Sequence, residues 1–197
     1  DDVEKNSMVE DNLREVYTAG NRAKELVAQI LAFARQSEEE MKPIQIDAIV
    51  NEVLQFIRSS IPTIIEITKN IDSKSLVMGN KSQVHRIMMN LCTNAAHAME
   101  DEGGTLDVAL KDIYVDRHFG KKFDLNPGNY VELAVSDTGV GIPPEIISSI
   151  FVPYFSTKDP GEGTGMGLAM VQGIVESYGG KIAVESRVGK GTTFTIY

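Results

Sequence analysis

Four glycines fall within the seven residues from Gly161 to Gly167, and an apolar, helix-forming stretch follows them without a break. Glycine adopts backbone conformations that other residues avoid, and it lets another group approach the backbone closely. The first turn of a helix adds unpaired N–H groups and the positive end of the helix dipole. The segment therefore predicts an anion site at a helix start, most often for a phosphate. A flexible surface loop is the alternative.

The composition excludes several other classes of protein. The chain has 197 residues, 42% of them hydrophobic and 24% charged, as in a folded globular protein. No apolar run approaches the roughly 18 residues of a membrane span, and the acidic start Asp1–Glu10 is unlike a signal peptide. A net charge of −9 without a basic cluster argues against nucleic-acid binding. The one cysteine, Cys92, lies in an apolar helical pattern and predicts a buried structural thiol. We expect a cytoplasmic protein.

The N-terminal part predicts one long helix from about Met8 to Ser37. Its apolar or small residues recur alternately three and four apart, at Leu13, Val16, Gly20, Ala23, Val27, Ile30 and Ala34. Such a face needs partner helices; self-association is favoured over packing on the chain's own globular part. The solvated run "SEEEMKP" follows, so we expect a boundary near Glu38–Lys42 that separates a helix and linker, 1–42, from a domain, 43–197.

Beyond this boundary, helices and strands mix without regular βαβ alternation. We expect strands over 43–47, 63–71, 75–79, 105–116, 129–137, 181–186 and 192–197, and helices over 48–60, 80–101, 143–150 and 166–178. Asp47 is the predicted N-cap of the first of these helices, and 117–128 is a predicted loop. The order predicts an α+β sandwich. A dinucleotide fold is excluded because no strand directly precedes the glycine cluster.

One predicted helix carries polar side chains on a single face. Asn90 and Asn94 are four residues apart and His97 is three further on, so they share that face. Amide oxygens of this kind can coordinate a hard cation. A solvated helix face is the alternative.

Two further stretches have the composition of a ligand site. "DTGVGIP" (Asp137–Pro143) directly follows a strand, where a carboxylate can accept a hydrogen bond from an exocyclic amine. Gly139 and Gly141 can let a flat ring lie against the backbone, although an ordinary turn has the same composition. In the irregular stretch after Phe151, Lys158 can meet a terminal phosphate as a point charge, or it is simply an exposed lysine.

Taken in order, five segments form a signature: Asn90–Ala95, Asp137–Pro143, Phe151–Lys158, Gly163–Leu168 and Gly189–Phe194. The set closely resembles the ATP-binding domain of sensor histidine kinases, in the superfamily of gyrase, the mismatch-repair ATPase and a heat-shock chaperone. The resemblance covers about 43–197 and implies a two-layer α/β sandwich of the Bergerat type. Asn21–Arg35 in addition resembles the second helix of the kinase dimerisation hairpin.

The resemblance implies a role for each matching residue. Asn94 would ligate Mg²⁺, Asp137 would bind the adenine amino group, and Thr192 would lie nearby. Asn90 stands where the hydrolytic relatives keep a catalytic glutamate, and His97 where many kinases have a lysine. Asn90 and Lys158 are the implied catalytic residues. The implied binding set for ATP is Asn90, Asn94, His97, Asp137, Gly139, Gly141, Ile142, Lys158, Gly163, Thr164, Gly165, Met166, Gly167, Leu168 and Thr192.

In function, the resemblance implies transfer of the γ-phosphate of Mg·ATP to a histidine, for relay to a response-regulator receiver domain. The family's acceptor histidine lies in the first helix of the dimerisation hairpin, beside an acidic residue. Among the three histidines, His85, His97 and His118, none has that setting. We therefore expect a fragment whose acceptor lies outside it, which forms a homodimer through the complete hairpin and meets a membrane only through other segments. An ATPase and a nucleotide-sensing module without transfer are the rival hypotheses.

Overall fold

The structure, a computed structural model, describes Gly20 and residues 41–157 and 164–197. The chain divides into two units, Asp1–Glu40 and Met41–Tyr197. The long helix predicted over Met8–Ser37 lies outside the described residues except for Gly20, which is helical. The division of the chain into 1–42 and 43–197 stays a prediction, as do the two roles assigned to these parts.

The second unit alternates short strands with helices. Its elements are β1 (Lys42–Gln45), α1 (Ile46–Ser60), β2 (Ile65–Asp72), β3 (Leu76–Gly79), α2 (Lys81–Ala98), β4 (Gly104–Val115), α3 (Arg117–Phe123), β5 (Gly128–Asp137), α4 (Pro144–Ile147), α5 (Gly167–Ser177), β6 (Ile182–Arg187) and β7 (Gly191–Ile196). Strands β1 and β3 form a two-stranded antiparallel sheet. The main sheet has the order β2-β4-β5-β7-β6, in which β2 and β4 are parallel and the other neighbours are antiparallel.

One face of the main sheet packs against helices. Its inward side chains alternate along the strands, for example Leu106, Val108 and Leu110 on β4, each of which is fully buried. Helix α2 contributes buried residues three or four apart, from Val84 to Ala95. On the opposite face lie polar pairs such as Ser136 with Thr193. The predicted α+β, two-layer sandwich is confirmed. Of the helices that the structure describes, none is long and apolar enough to cross a membrane.

The starts of α1 and α2 differ from the predictions. Asn80 precedes α2, and its side chain accepts hydrogen bonds from the N–H groups of Ser82 and Gln83. Asp47 is not the N-cap of α1: the helix begins at Ile46, two residues earlier than predicted, and Gln45 precedes it without a side-chain cap. The early start places Ile46 in the core at 7% exposure. Asp47 is then an acidic residue in the first turn, where the helix dipole favours it.

The predicted loop 117–128 contains a helix instead. Asp116 caps α3 by accepting hydrogen bonds from the N–H groups of His118 and Phe119. The rings of Phe119 and Phe123 pack on each other and on Tyr197, with centroids 4.8 to 5.3 Å apart. These contacts explain why a short, strongly basic segment is helical here. Helices α2 and α4 end earlier than predicted, at Ala98 and Ile147.

Candidate functional site

A cavity of about 610 Å³ lies where the polar face of α2 meets the ends of β5 and β7 and the start of α5. It brings together most of the residues that the sequence singled out. Its lining is Asn90, Thr93, Asn94, Ala95, His97, Ala98, Asp137, Val140, Gly141, Ile142, Ile146, Ile150, Phe155, Ser156, Thr157, Thr164, Gly165, Gly167, Leu168, Thr192 and Phe194. Gly139 and Met166 adjoin the lining without being part of it. Lys158 and Gly163 lie outside the described residues.

Helix α2 presents its polar face to this cavity. The Asn90 Nδ2 amide donates to the carbonyl of Arg86 at 2.8 Å, which directs its Oδ1 away from the helix backbone. Asn94, one turn on, lines the cavity and makes no hydrogen bond within the described part of the chain. His97 is half exposed, and its Nδ1 lies 3.4 Å from Glu100 Oε2. The predicted common face of the three residues is therefore present.

Asp137 is the buried carboxylate of the site. It ends β5 and is only 9% exposed, and its Oδ1 accepts hydrogen bonds from the N–H of Gly139 at 2.9 Å and of Thr192 at 3.3 Å. Burial raises the pKa of Asp137, and these two N–H groups partly oppose that rise. Its Oδ2 has no hydrogen-bond partner in the described ranges, so one carboxylate oxygen is left to accept from a ligand.

Neighbouring backbone leaves no room for a side chain at the two glycines that follow Asp137. A Cβ on Gly139 would lie 2.3 Å from the carbonyl oxygen of Ala98. A Cβ on Gly141, whose φ is +72°, would lie 2.3 Å from the carbonyl oxygen of Arg187. The loop is thus clamped between α2 and β6. Contact of a flat ring with Gly139 or Gly141 stays a prediction.

The start of α5 closes another side of the cavity. Gly165, at φ +65°, accepts a hydrogen bond from the N–H of Tyr154 at 3.0 Å, and a Cβ there would lie 2.5 Å from the Tyr154 carbonyl carbon. A Cβ on Gly167 would lie 2.5 Å from Asn90 Oδ1. Met166 precedes the helix and gives it no side-chain cap, so the first-turn N–H groups remain available to an anion.

Sequence reasoning missed the apolar part of the lining. Val140, Ile146, Ile150, Phe155 and Phe194 surround the polar groups. The run "IPPEIISSIF" carried the signal, because its isoleucines follow the predicted turn directly. An apolar wall with a few convergent polar groups is typical of a small-molecule site.

Two other features of the described residues bear on the site. A larger cavity of about 970 Å³ lies beside α3, lined among others by Arg117, Lys121 and Lys181, and it contains none of the motif residues. Cys92 is buried in the helix core, and burial raises the pKa of its thiol to about 12. The predicted burial of this thiol is therefore confirmed, and a raised pKa disfavours the reactive thiolate.

Comparison with known proteins identifies the class to which this site belongs. The family model of the histidine kinase-, DNA gyrase B- and HSP90-like ATPases matches residues 79–197. The chain is similar to the sensor kinase CckA of Brucella abortus, with 39% identity over 183 residues that cover 90% of this chain and 19% of CckA. It is also similar to the sensor histidine kinase ZraS of Salmonella typhimurium, with 30% identity over 180 residues that cover 90% of this chain and 35% of ZraS.

A solved structure gives the same result for the fold. The catalytic domain of the histidine kinase ThkA superposes with a TM-score of 0.64 and 27% identity, over 80% of this chain and 94% of that domain. The chain belongs to the family of histidine kinase-, DNA gyrase B- and HSP90-like ATPases. Within that family it carries the ATP-binding catalytic domain of a histidine kinase.

Proposed function

We propose that the chain is the catalytic part of a two-component sensor histidine kinase, which transfers the γ-phosphate of Mg·ATP to a histidine outside these 197 residues. The observation that carries the proposal is the pairing of the buried Asp137 carboxylate with Asn90 and Asn94 in one cavity of about 610 Å³. The carboxylate can accept a hydrogen bond from the amino group of a base, and the two amides can contact phosphates and a cation.

The adenine binds at the base end of the cavity, which comprises Asp137, Ile142 and Thr192. The free Oδ2 of Asp137 accepts from the adenine amino group, and Ile142 packs against the ring. Gly139 and Gly141 shape the turn that carries these groups. Because the carboxylate is nine-tenths buried, the hydrogen bond it makes is poorly screened by water.

The phosphates bind at the phosphate end, which comprises Asn90, Asn94, His97 and the start of α5 at Thr164–Leu168. The uncapped N–H groups of α5 face the phosphate oxygens. Met166 and Gly167 contribute backbone groups there, and Gly163 and Lys158 complete the phosphate contacts from the adjoining segment. The imidazole of His97 is a weaker phosphate partner than the ammonium group of a lysine.

The donor set fits magnesium. Mg²⁺ usually keeps several waters and takes one or two protein oxygens together with substrate phosphates. In the described ranges no three His, Cys, Asp or Glu side chains come together as a metal cage, whereas Asn94 offers an amide oxygen to the cavity. Asn94 would hold the ion, which when bound neutralises charge on the phosphates.

Transfer itself relies on positioning and electrostatics. An imidazole nitrogen of the acceptor attacks the γ-phosphorus in line, the P–N bond forms as the bond to the bridging oxygen breaks, and ADP leaves. Lys158 and the α5 N–H groups stabilise the transferred group. Asn90 cannot act as a general base toward water, because an amide does not accept a proton at neutral pH, and this favours transfer over the rival ATPase function.

The acceptor and the partners lie outside the described residues. His85 and His97 belong to α2, and His118 lies exposed at the start of α3; none has an acidic neighbour in the acceptor pattern. We propose a response-regulator receiver domain as the downstream partner, a homodimer through the completed N-terminal hairpin, and a cytoplasmic location.

The test is incubation of the chain with γ-labelled Mg·ATP, with and without a separate helix segment that carries a histidine followed by an acidic residue. We expect acid-labile label on the added segment and none on the chain alone. Robust label on the 197 residues alone would show that the acceptor is internal. Release of inorganic phosphate without any transfer would favour the ATPase.

A further inference from the structure

Ser186, on β6, lies directly behind the base end of the cavity. It is not among the lining residues, yet its Oγ is within hydrogen-bond distance of three groups that hold the lining. It accepts from the N–H of Ile142 at 2.7 Å, lies 2.9 Å from Thr192 Oγ1, and donates to the carbonyl of Gly191 at 3.1 Å. One hydroxyl thus connects the Asp137 turn, the Thr192 side chain and the start of β7.

Either hydroxyl could donate in the Ser186–Thr192 pair, and the count of hydrogens in the network favours one direction. A serine hydroxyl has one hydrogen and two acceptor lone pairs. When Ser186 donates to Gly191, its two lone pairs receive the Ile142 N–H and the Thr192 O–H, and every group is satisfied. The reverse direction between Ser186 and Thr192 would take the donated hydrogen away from the Gly191 carbonyl. Thr192 is buried and Ser186 is partly buried, and polar groups that are shielded from water favour the fully satisfied arrangement.

We propose that Ser186 is a positioning residue for base selection, since it turns the Thr192 hydroxyl into an acceptor beside the acceptor Asp137. With its hydrogen held by Ser186, Thr192 offers only lone pairs to the cavity. Two acceptors side by side can each take one hydrogen of an exocyclic amino group, or both hydrogens of a bridging water, and they repel a carbonyl in the same position. The inference rests on the proposed placement of adenine at Asp137.

The local packing supports a fixed arrangement. The backbone N–H of Thr192 donates to Asp137 Oδ1, so the strand that carries the threonine is anchored to the carboxylate. A Cβ on Gly191 would lie 1.9 Å from the Asp137 carbonyl oxygen, which places β7 directly against the end of β5. Ser186 and Thr192 are direct cross-strand partners. Rotation of the Thr192 hydroxyl is therefore the main freedom left, and Ser186 removes it.

The chain offers a matched control on the same sheet. Ser136 Oγ lies 2.9 Å from Thr193 Oγ1, the same separation as in the Ser186–Thr192 pair, but on the opposite sheet face. Neither residue of this control pair lines the cavity. A variant without this pair shows how the loss of a cross-strand hydroxyl pair changes stability when the cavity is not affected.

The experiment measures dissociation constants of the full 197-residue chain for ATP and for ITP, in which a carbonyl replaces the adenine amino group and N1 carries a hydrogen. We express the preference for ATP as the Kd for ITP divided by the Kd for ATP. For Ser186→Ala we expect this ratio to fall by roughly tenfold, because the freed Thr192 hydroxyl can donate to the carbonyl of ITP. Ser136→Ala should leave the ratio unchanged, and Ser186→Thr, which keeps the hydroxyl, should retain most of it. Ser186→Cys, a weak donor and acceptor of similar size, replaces Ser186→Ala if the latter fails to fold.

A double-mutant cycle separates the proposed role from a structural one. In a Thr192→Val background there is no hydroxyl to orient, so Ser186→Ala should leave the ATP-to-ITP ratio unchanged. An unchanged ratio in the Ser186→Ala single variant, or equal loss of both nucleotides, would overturn the inference while the proposed function stands. If the unaltered chain binds neither nucleotide, the proposed function falls as well.

Discussion

The two ends of the cavity differ in how far the protein satisfies its own polar groups. At the base end, Asp137 Oδ1 accepts two backbone N–H groups, and Thr192 is joined to Ser186. At the phosphate end, Asn94 and the first turn of α5 have no such partners among the described residues. The protein itself orients the polar groups of the base end, whereas those of the phosphate end find their partners in the ligand. We therefore expect selectivity to depend on the first and the response to Mg²⁺ on the second.

The largest effect is expected for Asp137→Asn, which keeps the size but places an amide where a carboxylate accepts. If the amide turns its donors to the adenine amino group, the pairing is lost in a buried site. Affinity for ATP should fall by roughly a hundredfold, and ATP should lose its advantage over GTP. Isothermal titration with both nucleotides measures this. Unchanged affinity and selectivity would remove Asp137 from the base end.

A second, smaller effect is expected for Asn94→Ala at the phosphate end. The variant should lose the part of ATP affinity that depends on Mg²⁺, roughly tenfold to a hundredfold, since hydrogen bonds and ligation to charged groups have this strength. Its affinity for adenosine should not change. The matched control is Asn51→Ala, an exposed asparagine on α1 that lies away from the cavity. A variant that keeps the full Mg²⁺ dependence would place the cation elsewhere.

The smallest effect concerns pH. Burial raises the pKa of Asp137, so between the unfolded and the folded pKa the native chain binds the proton more strongly than the unfolded chain. The unliganded protein should gain stability from this group as pH falls through that window, and lose it as pH rises. Denaturant unfolding of the unaltered chain and of Asp137→Asn, over a pH series that rises from the ordinary pKa of an aspartate, isolates the contribution. Parallel pH curves for the two proteins would contradict the buried carboxylate at the base end.

The sequence predicted the polar positions better than the contacts that hold them. Asn90, Asn94 and Asp137 could be placed on one site because helix periodicity and motif order fix them. The helix α3 was missed, since it depends on Phe119 and Phe123 meeting Tyr197 across 74 residues of chain or more. Ser186 was missed for the same reason: its role depends on the register that pairs it with Thr192. The local sequence pattern predicts neither of these two contacts.

The error at Asp47 has a related cause. An aspartate after an alternating strand is a good N-cap by local pattern, but the helix begins two residues earlier than predicted, at the buried Ile46. The apolar wall around Ile146 and Phe155 had a local signal in the isoleucines after the predicted turn, but that signal does not show that these residues face the polar groups of the cavity. Tertiary packing sets the exact helix start and the residues that face the cavity, and in both cases it overrides local propensity.

The most direct test of the account is thermal unfolding of the 197-residue chain with and without Mg·ATP. Ligand at about 100 times its dissociation constant should add about 2.7 kcal/mol to the free energy of unfolding. Omitting Mg²⁺ should remove the share assigned to Asn94, and replacing ATP by ITP should remove the share assigned to Asp137. No shift with millimolar Mg·ATP would contradict the assignment of the cavity as a nucleotide site.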